Sequence, residues 1–175
     1  MDYRKLLIAA ALAAGVATPA AAAPATTPPS ASSTGKALIL LPLKITKIDD
    51  LDFGAMIAPP SPGTVTLSAT DSSRSFTGGA VGVSSDLGHR AYFGGAGTGN
   101  QQVIVTLVPP TQLTSTNGDK IDVIALTLDN GGNPIRTVDA TTRTFYVGVG
   151  GVLSLAANQA DGTYTATFQL LANYQ

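Results

Sequence analysis

The stretch Tyr164-Thr-Ala-Thr-Phe-Gln-Leu-Leu-Ala-Asn-Tyr-Gln175 alternates apolar and mostly polar side chains over six periods. A repeat of two belongs to a strand with unlike faces: Tyr164, Ala166, Phe168, Leu170, Ala172 and Tyr174 on one side, Thr165, Thr167, Gln169, Asn173 and Gln175 on the other. Whatever fold contains this strand must supply something to cover its apolar face.

Composition extends that reading to the whole chain. There is no glutamate and lysine is scarce, while threonine, valine, glycine and aspartate abound, so good helix formers are missing and strand and turn formers are plentiful. Candidate strands run over 37–47, 63–69, 74–83, 90–93, 101–108, 121–128, 142–149, 152–155 and 164–174. Between them stand turn-forming clusters: Pro59-Pro-Ser-Pro-Gly63, Gly94-Gly-Ala-Gly-Thr-Gly99, Thr116-Asn-Gly118, Asp129-Asn-Gly-Gly-Asn-Pro134, which reads as a hairpin turn, and Asp161-Gly162. Short strands at this spacing, with no helical period between them and no internal repeat, predict an all-β protein built as a β-sandwich.

The front of the chain predicts export. Arg4 and Lys5 precede an apolar run, Leu6 to Val16, and small residues Pro19 to Ala23 follow, the order of a secretory signal peptide over 1–23. Residues 24–36, rich in Ala, Pro, Ser and Thr, read as a flexible leader, and 37–175 as a single domain. Removing Asp2, Arg4 and Lys5 with the signal leaves eight basic and ten acidic side chains, a net charge near minus two. That balance offers no basic patch for nucleic acid or an anionic membrane, and no apolar run reaches the roughly 20 residues of a membrane helix. With no cysteine, stability must come from packing and strand pairing.

Reactive constellations are not signalled. His89, the single histidine, sits between Asp86 and Arg90 in a glycine-flanked loop and reads as a solvated loop residue. No serine has a base and orienting acid beside it, and Gly82-Val-Ser-Ser-Asp86 lacks the second glycine of a nucleophile elbow. The run Gly94 to Gly99 has no following lysine or helix to cradle phosphate. Asp49, Asp50 and Asp52 fall short of the six to eight oxygens a calcium ion takes, and Asp129 to Asn133 lacks the later acidic ligand of a calcium loop. The expectation is a protein that is not an enzyme, with no metal and no cofactor.

Near the start of the domain, Ala37, Ile39, Leu41, Leu43 and Ile45 share one face of an extended segment, but Pro42 has no N–H for a ladder. The segment therefore divides into an arm, about 33–41, and a first strand from Leu43 onward. An arm with apolar side chains at every second residue, hung on a flexible leader, can insert into another molecule as an added strand; folding back onto its own sandwich is the other outcome.

These residues together resemble the chaperone–usher pilins, whose last strand has a tyrosine one residue from its end and a glycine at the fourteenth position counted back. Tyr174 and Gly162 occupy those positions. The motif Leu51-Asp-Phe-Gly54 looks like that of the archaic, spore-coat-protein-U-like branch, and the order of motifs from about Leu43 to Gln175 is similar to a related, uncharacterised exported bacterial domain family. The chain departs from many pilins in lacking a disulfide. The resemblance implies an immunoglobulin-like sandwich that lacks its final strand and is completed by a donor strand. It gives Ala37, Ile39 and Leu41 the role of donor arm, and Gly162, Tyr164, Phe168, Leu170 and Tyr174 that of groove and chaperone-contact strand. It implies a fimbrial subunit at the bacterial surface, with identical or related pilin subunits, a periplasmic chaperone and an outer-membrane usher as partners, and no membrane insertion. Two other readings stand beside it: a self-contained secreted or surface β-sandwich binding carbohydrate or protein, and an outer-membrane β-barrel, which the shortness of most strands and the scarcity of aromatics oppose.

Overall fold

A computed structural model describes residues 30–175. The signal peptide expected over 1–23, and residues 24–29 of the leader, lie outside the described residues. Residues 30–43 have no regular secondary structure. Thirteen strands follow: β1 (Lys44–Asp49), β2 (Met56–Ile57), β3 (Gly63–Leu67), β4 (Arg74–Phe76), β5 (Val81–Gly82), β6 (Ala91–Ala96), β7 (Gln102–Val108), β8 (Gln112–Ser115), β9 (Lys120–Leu128), β10 (Ile135–Thr137), β11 (Thr144–Leu155), β12 (Tyr164–Thr165) and β13 (Gln169–Tyr174). Every pairing is antiparallel. The expected all-β sandwich is what the chain forms.

The main sheet runs β1-β6-β11-β9-β8-β12, with β3 also on β11 and β4 on β3; a smaller sheet runs β10-β7-β13, and β2 pairs with β5. The hub is β11, whose first half pairs with β6 and whose second half pairs with β3, while β9 lies along its other edge. Residues Phe145, Val147 and Val149 on one face of β11 pack with Val103 and Val105 of β7 and Ala91 of β6, forming the core between the two sheets. Further along the same face, Leu153 and Leu155 join Val65, Leu67, Ile121 and Phe53 in a second cluster. Half of these are β-branched, and fully burying a large aliphatic or aromatic side chain contributes roughly 1.5–3 kcal/mol.

Several local expectations are corrected. The two strands expected at 142–149 and 152–155 are one, because Gly150 and Gly151 continue the ladder rather than break it. The 74–83 segment divides into β4 and β5. Gly94 and Gly95, expected in a turn, lie inside β6: a Cβ on Gly95 would fall within the Phe145 ring, so the glycine makes room for a core aromatic on the neighbouring strand. The turn itself comes later, at Gly97 to Gln101. The expected Asp129 hairpin turn is instead a sheet-to-sheet connection, with a 3-10 turn at Asn130–Gly132 between β9 and β10. Strands β2, β8 and β10 were not anticipated; they are short and lack sustained alternation.

Three arginines hold connections in place by donating to backbone carbonyls. Arg74 reaches Phe53 and Ala55 at 2.8 and 3.2 Å and Val83 and Asp86 at 3.3 and 3.0 Å. Arg90 bonds the carbonyls of Ala69 (2.9 Å) and Thr70. Buried Arg136 bonds the carbonyls of Tyr146 (3.3 Å), Ile135 (3.0 Å) and Asn133, and pairs with the Asp129 carboxylate, tying the β9–β10 connection to the hub. These cations are committed to structure, which leaves little positive charge for a ligand.

Candidate functional site: an open cleft along the closing strand

The long strand expected over 164–174 forms in two pieces, and its neighbour explains why. Strand β13 pairs with β7, from Gln169 opposite Val108 to Tyr174 opposite Val103, and β12 pairs with β8, Tyr164 opposite Ser115. Between β7 and β8 stand Pro109 and Pro110, which have no N–H to donate, so the ladder lapses and the facing residues Ala166 to Phe168 are unpaired. The phase of the alternation is kept across the gap, although Ala166, expected on the apolar face, is exposed. Tyr164, Phe168, Leu170, Ala172 and Tyr174 are half-buried, and every residue between them is exposed. Tyr164 joins the second cluster; the other four join the core between the sheets, where the Phe168 ring meets Phe93 edge to face at 6.0 Å.

None of the five is fully buried, although they pack against the core clusters. Among the described residues, strand β13 pairs only with β7, β12 only with β8, and β1 only with β6. A cleft lies beside β12 and the unpaired residues that follow it. One part, about 240 Å³, lies between Lys47 to Leu51 and Ala166 to Phe168. A second, about 680 Å³, lies between Leu51 to Pro59 and Gln159 to Tyr164, with Leu153 and Leu155 among the residues lining it. Gly162 sits at this end with φ of +147°, a conformation that disfavours any side chain, so it provides the expected bend into β12. The Tyr164 hydroxyl donates to the Ala160 carbonyl at 2.7 Å and lies 2.9 Å from Gln159 Nε2, which fixes that wall.

The motif Leu51-Asp-Phe-Gly54 forms the upper margin of the cleft. Asp52 exchanges backbone bonds with His89, N–H to carbonyl, at 2.9 and 2.8 Å, and its carboxylate accepts from the Gly54 N–H at 2.8 Å. Phe53 fills the second cluster, and Gly54, at φ +69°, packs where a Cβ would meet Asp86, Gly88 and Arg74 atoms at 2.6 Å. This is a structural junction. His89 is exposed, as its loop position predicts, and Asp50 pairs with Lys47 at 2.6 Å on the surface. Among the described residues, no group of three or more His, Asp or Glu side chains could hold a metal ion.

The arm is exposed over 33–39 and at Leu41, while Leu40 is half-buried. Ala37 is exposed, Ile39 is 90 % exposed, Leu38 66 % and Leu41 47 %, and none of them belongs to a strand. Leu41 marks the point of attachment. Its N–H donates to Thr98 Oγ1 at 2.7 Å and its carbonyl accepts from the Tyr174 hydroxyl at 2.8 Å, while that hydroxyl oxygen accepts from the Thr98 N–H at 2.7 Å. Thr98 escaped the sequence reading, since nothing local in a Gly-Thr-Gly turn connects it to a residue 57 positions earlier.

The sequence model of the family described as "Domain of unknown function (DUF4402)" matches residues 43–174, from just past this attachment to the second tyrosine of the closing strand. No curated protein and no solved structure matches the chain.

Proposed function

The chain belongs to that family, and from this premise we propose that it is a structural fimbrial subunit that polymerises by donor-strand exchange at the bacterial surface. The observation that carries the reading is the conjunction of a largely exposed apolar arm and a cleft with no strand. Two unpaired strand edges beside half-covered aromatic and aliphatic side chains make a site for an added strand, in which main-chain bonds supply affinity and alternate side chains fill pockets. Seating Ile39, now 90 % exposed, contributes roughly 1.5–3 kcal/mol before ordering costs.

In this reading the domain is an immunoglobulin-like, pilin-like sandwich short of one strand. Ala37, Ile39 and Leu41 belong to the donor arm, and Gly162, Tyr164, Phe168, Leu170 and Tyr174 to the acceptor wall. The contact is head-to-tail and does not close, so it builds a fibre. Export, a periplasmic chaperone that fills the cleft in transit and an outer-membrane usher complete the proposal.

The test is to delete residues 33–41 and supply them as a peptide. The intact chain is expected to form filaments under the electron microscope; the deleted chain should form none, and its melting temperature should rise with added peptide. A deleted chain that is a stable monomer indifferent to the peptide would overturn the proposal.

A further inference from the structure

The bonds around Leu41 carry an inference about the joint between subunits, and it rests on the strand-donation reading. We propose that Tyr174, Thr98 and Leu41 form a clamp that fixes the root of the arm, ends its exchangeable part at Leu40 and leaves no free linker between one subunit and the next.

The three hydrogen bonds form a closed ring, all at 2.7–2.8 Å, and connect positions 57, 76 and 133 residues apart. The Tyr174 hydroxyl uses both its capacities, donating to Leu41 and accepting from Thr98. Gly97 makes room for it: a Cβ there would lie 2.5 Å from the Tyr174 hydroxyl and 2.9 Å from Leu43 Cδ1. Leu41 has both backbone groups engaged with its own domain, so it cannot also extend a ladder on a neighbour while the clamp holds. Leu38 and Ile39, in contrast, make no hydrogen bonds among those of the described residues and are free to pair. The residues that follow add stiffness. Pro42 has its φ held by the ring, and Leu43 packs into the core between the sheets.

Residue 40, half-buried in the free subunit, would then move into the acceptor's cleft while residue 41 stays in the donor's clamp, with consecutive Cα atoms about 3.8 Å apart. Ala37 and Ile39 are the plugs of this arrangement, and Leu41 is its root. Since Tyr174 also ends the edge strand β13, the strand with the bare edge also holds the donor arm. The joint is stiff because clamp, proline and core contact follow one another without a hinge.

The experiment uses protein purified after expression from the full sequence, as wild type, Tyr174→Phe and Thr98→Val, with amide hydrogen exchange read residue by residue. In the wild type the Leu41 and Thr98 amides should be protected while Leu38 and Ile39 exchange at open-chain rates. Tyr174→Phe should speed exchange at Thr98, and Thr98→Val at Leu41, each roughly five- to tenfold, with Val105 and Val147 unchanged. Filaments of both variants should have a shorter persistence length than wild type. A Leu41 amide that exchanges freely in the wild type, or variants that lose protection but form equally stiff filaments, would overturn the clamp. Wild-type protein that makes no filaments would instead sink the strand-exchange reading, and the exchange rates alone would then decide whether the clamp exists.

Discussion

Arg136 and Lys47 each pair with an aspartate, yet their removal should have very different consequences. The Arg136 side chain is 9 % exposed and its partner Asp129 20 %, whereas Lys47 and Asp50 are 55 % and 75 % exposed. Arg136→Met keeps most of the apolar volume but removes the donors to Asp129 and to the carbonyls of Tyr146, Ile135 and Asn133. A charged hydrogen bond contributes roughly 1.5–3 kcal/mol and a neutral one roughly 0.5–1.5, and breaking one side of a buried pair leaves an uncompensated charge. Because Asp129 retains some contact with water, the expected loss is about 3 kcal/mol, a large part of the roughly 5–15 kcal/mol that holds such a domain together. Lys47→Ala should cost at most about 0.5 kcal/mol, since its pair is open to solvent and screened. Urea unfolding followed by circular dichroism measures both: the Arg136→Met midpoint should fall sharply at constant m-value and the Lys47→Ala midpoint should barely move. Adding Asp129→Asn to Arg136→Met should recover part of the loss, because the stranded charge is then gone. A loss below about 1 kcal/mol for Arg136→Met, or no recovery in the double variant, would refute the reasoning.

Gly95→Ala would force its Cβ into the Phe145 ring and is expected to cost about 1–3 kcal/mol, read as a melting temperature several degrees lower. The Asp139 carboxylate accepts from the Thr141 and Thr142 amides and the Thr142 hydroxyl, which holds its pKa below the ordinary 3.8, with the Thr142 amide the largest cause. Asp71, bonded by Ser68 and Ser73, is lowered to about 2. A depressed carboxylate contributes stability that is present above its unfolded pKa and lost as pH falls through the folded value. The Asp71 turn should therefore lose its support as pH falls from 3.8 through about 2, and the Asp139 turn below 3.8; a carboxyl NMR titration that finds ordinary values at either aspartate would contradict the hydrogen bonding described.

The fold class was legible because it depends on properties of single segments: period-two patterning, absent helix formers and turn clusters at regular spacing. What escaped depends on two segments at once. The break at Ala166 to Phe168 is written in Pro109 and Pro110 on the neighbouring strand, and Gly95 reads as a turn former until Phe145 claims the space beside it. The cleft shows the same division. The need to cover the face of Tyr164, Phe168, Leu170 and Tyr174 followed from alternation alone, and β1 begins at Lys44, just past Pro42. The engagement of Leu41 by Thr98 and Tyr174 joins three distant points of the chain, and no local pattern encodes it.

The free edge of β13 supports the proposal that this domain accepts an added strand. Sheet proteins blunt an exposed edge with charge, proline, a bulge or great shortness, because an unprotected edge pairs with whatever strand it meets. Strand β1 follows that practice: it carries Lys44, Lys47 and Asp49, all exposed, and a register shift between Lys47 and Asp49. Strand β13 follows none of it. Its six residues contain no charge and no proline, its pairing with β7 runs without a bulge, and Leu171 lies exposed on its outer face. One free sheet edge is thus guarded and the other bare. An arriving strand would be directed to β13 for its main-chain bonds, so charges placed at Leu171 or Ala172 should impair strand addition far more than charges added to β1.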